Sequence, residues 1–155
     1  MEPLQKLREK LSRELAQSEH DAMTHCSREA RRYGALPPGQ PLRAVSDHAR
    51  KLHPRLAAIW GEPQPPGVRA GRAVGEAFSA IRHFAVDWVL DAERSYRATL
   101  LGLRHGLDTA RLLREVLAVQ RDAAALTVCD ALIVGRARLL ERVEQRLRWF
   151  AAHPE

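Results

Sequence analysis

His105-Gly106-Leu107-Asp108 interrupts two very long helical patterns. Glycine adopts the left-handed conformation that ends a helix, and an aspartate two positions later can cap the next one. So short a connection makes the flanking helices fold back on each other. The pattern therefore predicts an all-α protein, an elongated four-helix bundle whose two long C-terminal helices form an antiparallel hairpin turning at 105–108.

Working outward from that break, the upstream helix is expected over 69–105, with Val74, Phe78, Ile81, Ala85, Trp88, Ala92 and Tyr96 on its apolar face. The downstream helix is expected over 109–152, with Leu112, Val116, Val119, Ala123, Leu126, Ile133, Ala137, Leu140, Val143, Leu147 and Phe150. At ~1.5 Å per residue each is on the order of 50–65 Å long. Ahead of them, Gly61-Glu-Pro-Gln-Pro-Pro-Gly67 reads as a semi-rigid connector over 61–67. Before it a shorter helix is expected over 41–60, its stripe formed by Leu42, Val45, Ala49, Leu52, Leu56 and Ile59. Pro54 lacks an amide proton, so a kink belongs near Lys51–His53. The first helix, expected over 3–33, carries Leu4, Leu7, Leu11, Leu15, Ala22, Cys26, Ala30 and Tyr33 and stops at Gly34.

The whole chain, 1–155, reads as a single helical-bundle domain. The two C-terminal helices outrun the second by more than three turns, so one end of the bundle should project. The stripe continues there through Leu140, Leu147 and Phe150. Bare apolar faces mark interfaces, which makes self-association, most simply a homodimer, the structural expectation.

Composition agrees with this class. Apolar residues make up 45% of the chain, dominated by Leu and Ala, which favours helix over strand. There is no run of eighteen apolar residues to span a bilayer. The opening Met1-Glu-Pro-Leu-Gln-Lys-Leu-Arg is charged throughout, with no apolar signal region, so the cytoplasm is the expected compartment. Cys26 and Cys129 both fall within helical patterns and read as packing residues.

Charge is less evenly spread. The net charge is +6, and residues 31–82 alone carry nine basic side chains against three acidic ones. Only Lys6, Lys10 and Lys51 are lysines, so arginine supplies nearly all of it. Arg31, Arg32, Arg43, Arg50, Lys51, Arg55, Arg69 and Arg72, with Arg82 beyond, form the candidate partner-binding set. Such a surface suits an acidic protein or, as an alternative, phosphates of nucleic acid held without sequence preference.

The first alternative, ahead of nucleic acid, is a metal-binding bundle. His25 and Glu29 lie four apart on the first helix and His48 adjoins the second stripe, while His83, Asp87 and Asp91 form a ladder on the third. Imidazole and carboxylate ligands on facing helices suit iron, manganese or zinc. The paired Glu-x-x-His of di-iron bundles is missing, as are Gly-x-Ser-x-Gly, Cys-x-x-Cys, His-Glu-x-x-His and a glycine-rich phosphate loop. No organic cofactor is implied. The sequence thus reads as a non-enzymatic helical interaction or scaffold protein with a basic surface.

Overall fold

A computed structural model of the chain describes residues 2–60 and 91–154. The described elements are α1 (Glu2–Tyr33), α2 (Gly39–Leu52), a 3-10 turn (His53–Arg55), α3 (Ala57–Trp60), α4 (Ala92–Val119), α5 (Ala123–Gln145) and α6 (Leu147–Ala152). All regular structure among the described residues is helical. The connector 61–67 and the 69–90 part of the expected third helix, with Arg69, Arg72, Arg82, His83 and Asp87, lie outside the described residues.

The protein is an all-α bundle, and its C-terminal helices do form an antiparallel hairpin, but the hairpin does not turn at 105–108. Helix α4 runs unbroken through that tetrapeptide to Val119. The reversal lies at Gln120-Arg121-Asp122, where Arg121 takes a left-handed φ of 56° and the Asp122 side chain accepts from the Ala125 amide at 3.1 Å. Gly106 serves a different purpose. A Cβ built on it would stand 2.0 Å from Ser18 Oγ of α1, so the missing side chain is what lets the two helices close up. Asp108 is exposed and pairs with Arg111 at 3.0 Å rather than capping a helix.

Moving the turn also shifts the face that is buried. Leu113, Val116 and Leu117 enter the core, whereas Leu112 and Val119, expected on the apolar stripe, are exposed. The other stripes hold: Leu11, Leu15, Ala22, Cys26, Ala30 and Tyr33 of α1 are buried, as are Leu42, Val45, Ala49, Leu52, Leu56 and Ile59. Gly34, at a φ of 56° with open space around it, ends α1. Pro54 sits in the 3-10 turn that breaks the second helix between α2 and α3.

Paired side chains give the directions. Along α1 and α4, Gln5 meets Gln120, His25 meets Thr99, and Tyr33 meets Ala92, so the two are antiparallel. Ser46 donates to the Met23 carbonyl and Arg43 to that of Ala30, making α1 and α2 antiparallel. Gln40 meets Arg146, and His48 meets Arg136 and Gly135, so α2 and α5 are antiparallel as well. The four main helices therefore form a square in the order α1, α2, α5, α4, with α2 and α4 on a diagonal and running in the same direction. At one end Arg8 ties the square together, bonding Gln120 at 3.0 Å, the Ile59 carbonyl at 3.2 Å and Asp122 at 2.8 Å.

At the other end the C-terminal apolar stripe is not bare among the described residues. The chain turns at Arg146, and α6 folds over the bundle. Leu140 is buried, while Leu147 and Phe150 pack against the core. The Phe150 ring lies 6.0 Å from that of Tyr33 and 5.1 Å from that of Tyr96. The apolar face read from the sequence as exposed thus packs against Tyr33 of α1 and Tyr96 of α4. Among the described residues, no helix is long and apolar enough to cross a membrane.

Candidate functional site

The core is not one continuous apolar body. One cluster, including Leu15, Leu56, Leu113, Leu117 and Leu132, fills the end held by Arg8. Another, including Cys26, Leu42, Val45, Tyr96, Leu103 and Val143, fills the end covered by α6. Between them runs a polar layer. Glu19 of α1 and Arg136 of α5 face each other across the square, each with its side chain 3% exposed. Arg136 Nη1 and Nη2 donate to the two carboxylate oxygens at 2.8 and 3.0 Å, a fork-on-fork pair. Arg136 Nη2 also lies 3.4 Å from Nδ1 of His48 on α2. A Cβ on Gly135 would stand 2.2 Å from His48 Nε2, so the imidazole occupies the space that this glycine leaves. Burial and the adjacent guanidinium lower the His48 pKa to about 4, which keeps the ring neutral.

His25 and Glu29 lie elsewhere. His25 Nε2 is 2.9 Å from Thr99 Oγ1 on α4, and burial lowers its pKa. Glu29 is buried; Oε1 accepts from Ser95 Oγ at 2.7 Å and from Tyr33 OH at 3.3 Å, and Arg32 approaches to 3.8 Å. Tyr33 OH also reaches the Ala92 carbonyl at 2.8 Å, and burial raises the phenol pKa. Six residues of α1 separate His25 from Glu19, the level of His48, or about 9 Å of helix rise. The structure therefore assigns these candidate metal ligands to two different polar sites. Among the described residues, no group of three His, Cys, Asp or Glu side chains stands together as a cation site would require. The two thiols are buried, with pKa values pushed up by desolvation to about 12 for Cys26 and about 11 for Cys129, the opposite of an activated thiolate.

The basic set is a surface feature. Arg31, Arg32, Arg50, Lys51 and Arg55 are exposed along the end of α1 and the outer side of α2 and its 3-10 turn. Asp47, 3.7 Å from Arg50, is the only acid in α2. Arg43 has a structural duty: its Nη1 donates to the Gly34 carbonyl at 2.9 Å and the Ala30 carbonyl at 3.3 Å, closing the C-terminal end of α1. The sequence reading missed Arg138 and Arg142 of α5. Both are exposed, three and seven residues beyond the Gly135 that touches α2. They extend the positive region onto a second helix, and only the α2–α5 pairing reveals it.

The buried pair was missed too, although the pattern carried a signal. Glu19 lies four residues after Leu15 and three before Ala22, and Arg136 lies three after Ile133 and four before Leu140. Charges in phase with an apolar stripe need buried partners. Compared with family models, curated proteins and solved structures, the chain shows no significant match.

Proposed function

We propose that this chain is a non-enzymatic helical interaction protein that self-associates and presents a basic surface to an acidic partner. One observation carries the reading: Arg31, Arg50, Lys51 and Arg55 are all exposed around a helix whose only acid is Asp47. On α1, α4 and α5 several exposed cations have acids beside them: Lys6 with Glu2, Arg97 with Glu93, Arg104 with Glu144, Arg111 with Asp108. A surface that serves only solubility mixes the two signs, whereas a one-sign field attracts a partner of opposite sign.

Self-association has its own candidate face. Leu101, Leu112 and Val119 of α4 are exposed, and their spacing returns to the same side of the helix each time. This outer side of α4 replaces the projecting arm as the surface for a second copy.

The basic surface is tested with immobilised poly-L-glutamate. The protein is retained at low salt and released as salt rises, and the triple variant Arg50→Gln, Lys51→Gln, Arg55→Gln elutes earlier. No retention, or retention that the three substitutions leave unchanged, overturns the reading.

A further inference from the structure

Resting on the basic surface proposed above, we infer that the face shared by α2 and α5 is a docking surface for the phosphate backbone of duplex nucleic acid. The packing defines this face. α2 and α5 are antiparallel neighbours, joined at His48–Gly135 and, toward the α6 end, where Arg146 Nη2 donates to Gln40 Oε1 at 3.2 Å. Lys51 lies three residues from His48, and Arg138 and Arg142 lie three and seven from Gly135, which places all three beside the seam. Arg50 and Arg55 continue the positive surface across the outer side of α2 and its 3-10 turn.

Two of the three acids of α5 are engaged by α4: Asp130 by Arg114 at 2.7 Å and Glu144 by Arg104 at 3.1 Å; Glu141, three residues from both Arg138 and Glu144, is exposed at the edge of the face. Among the described residues, Lys51, Arg55, Arg138 and Arg142 enter no ion pair, and Arg50 meets only Asp47.

The kind of partner follows from what accompanies the cations. Protein interfaces are anchored by large side chains, above all Trp and Tyr, buried in the partner's pockets. Helices that lie in a membrane surface bury an apolar face beneath their cations. Among the described residues, the exposed large apolar side chains are Leu36 in the α1–α2 turn, Leu101, Leu112 and Val119 on α4, and Val134 on α5. Only Val134, one turn before Arg138, borders the face, and no aromatic side chain stands among its cations. A duplex backbone requires neither anchor. It requires cations along a line, and arginine forks suit phosphate oxygens. Among the described residues no Phe, Tyr or Trp side chain is exposed, which weighs against single strands, whose binding depends on base stacking.

The test uses the full chain and a fluorescent duplex of arbitrary sequence, with anisotropy recorded from about 50 to 200 mM salt. Two variants of equal net charge are compared: Arg50→Gln, Lys51→Gln, Arg138→Gln, Arg142→Gln, and a control with Lys6, Arg13, Arg111 and Arg121 changed to Gln. All eight side chains are exposed, and circular dichroism checks that both variants fold. Removing four phosphate contacts lowers the slope of log K against log salt by about three to four, while the control keeps a slope close to that of the wild type. Equal losses in both variants, no binding of the duplex, or tighter binding to phosphatidylserine vesicles overturns the inference. If the duplex fails but poly-L-glutamate retention still depends on Arg50 and Lys51, the inference falls and the acidic-partner reading stands. If neither polyanion binds, both fall.

Discussion

Gly106 and Arg121 exchange the roles that residue type suggests for them. A glycine followed closely by an aspartate looks like a helix end, yet Gly106 is helical and provides room for Ser18. An arginine looks like mid-helix surface, yet Arg121 carries the left-handed turn. Both assignments can be checked by urea denaturation. Gly106→Ala alone is destabilising, and adding Ser18→Ala recovers part of the loss, because Oγ at 2.0 Å is removed and only the Cβ contact at 3.2 Å remains. If Gly106 closed a helix in left-handed geometry, Ser18→Ala would recover nothing. Conversely, Arg121→Gly relieves a backbone conformation that burdens a residue with a Cβ and stabilises by roughly 0.5–1 kcal/mol. The turn was illegible because it contains neither glycine nor proline, and because the spacing of Val116, Val119, Ala123 and Leu126 runs straight across it. Gly34 was legible because its left-handed φ and its sequence signal coincide.

Between elements, the polar layer fixes how the helices meet. Glu19 and Arg136 pair at the centre of the bundle, and removing one partner strands a buried charge. Arg136→Met therefore costs about 3–5 kcal/mol, whereas Glu19→Leu combined with Arg136→Met costs far less than the sum of the single changes. A double-mutant cycle by chemical denaturation reads this directly. The layer also makes stability depend on pH. In the folded protein the His48 pKa is lowered to about 4 from an ordinary 6.5, with Arg136 and then Lys51 adding to the effect of burial. The unfolded chain takes up this proton first as pH falls, so the contribution of His48 is complete above 6.5 and drains away toward 4. His25 acts in the same sense. Asp122, whose pKa is lowered by the Ala125 amide and then by Arg8, adds its loss only below its ordinary 3.8. Chemical denaturation at pH 7 and pH 5 separates these contributions: the wild type is less stable at pH 5, and His48→Gln shows a smaller difference. An unchanged difference in that variant would remove His48 from the account. Periodicity identified the helix faces but not this layer, since it records where apolar residues recur and passes over the charges between them.

At the scale of the whole molecule, the square of α1, α2, α5 and α4 sets the exposed apolar side of α4 apart from the basic α2–α5 seam. The self-association proposed through α4 would leave that seam free, and a dimer would present it twice. Leu112→Glu accordingly lowers the mass measured by light scattering after size exclusion while leaving the helical content intact. The class of fold was legible because the stripes of α1 and α2 are long and regular. The site was legible only in part, since Arg31, Arg50, Lys51 and Arg55 stand close in sequence while Arg138 and Arg142 join them through the fold. The bare C-terminal stripe was misread because periodicity shows that Leu147 and Phe150 share a face but not that Tyr33 and Tyr96 stand opposite it. The most direct test of the basic surface is one titration with labelled poly-L-glutamate at neutral pH, comparing the wild type with the two charge-matched quadruple variants. The account predicts that affinity collapses when Arg50, Lys51, Arg138 and Arg142 are neutralised and survives when Lys6, Arg13, Arg111 and Arg121 are. Equal affinities in the two variants would contradict it, because binding would then follow net charge rather than a surface.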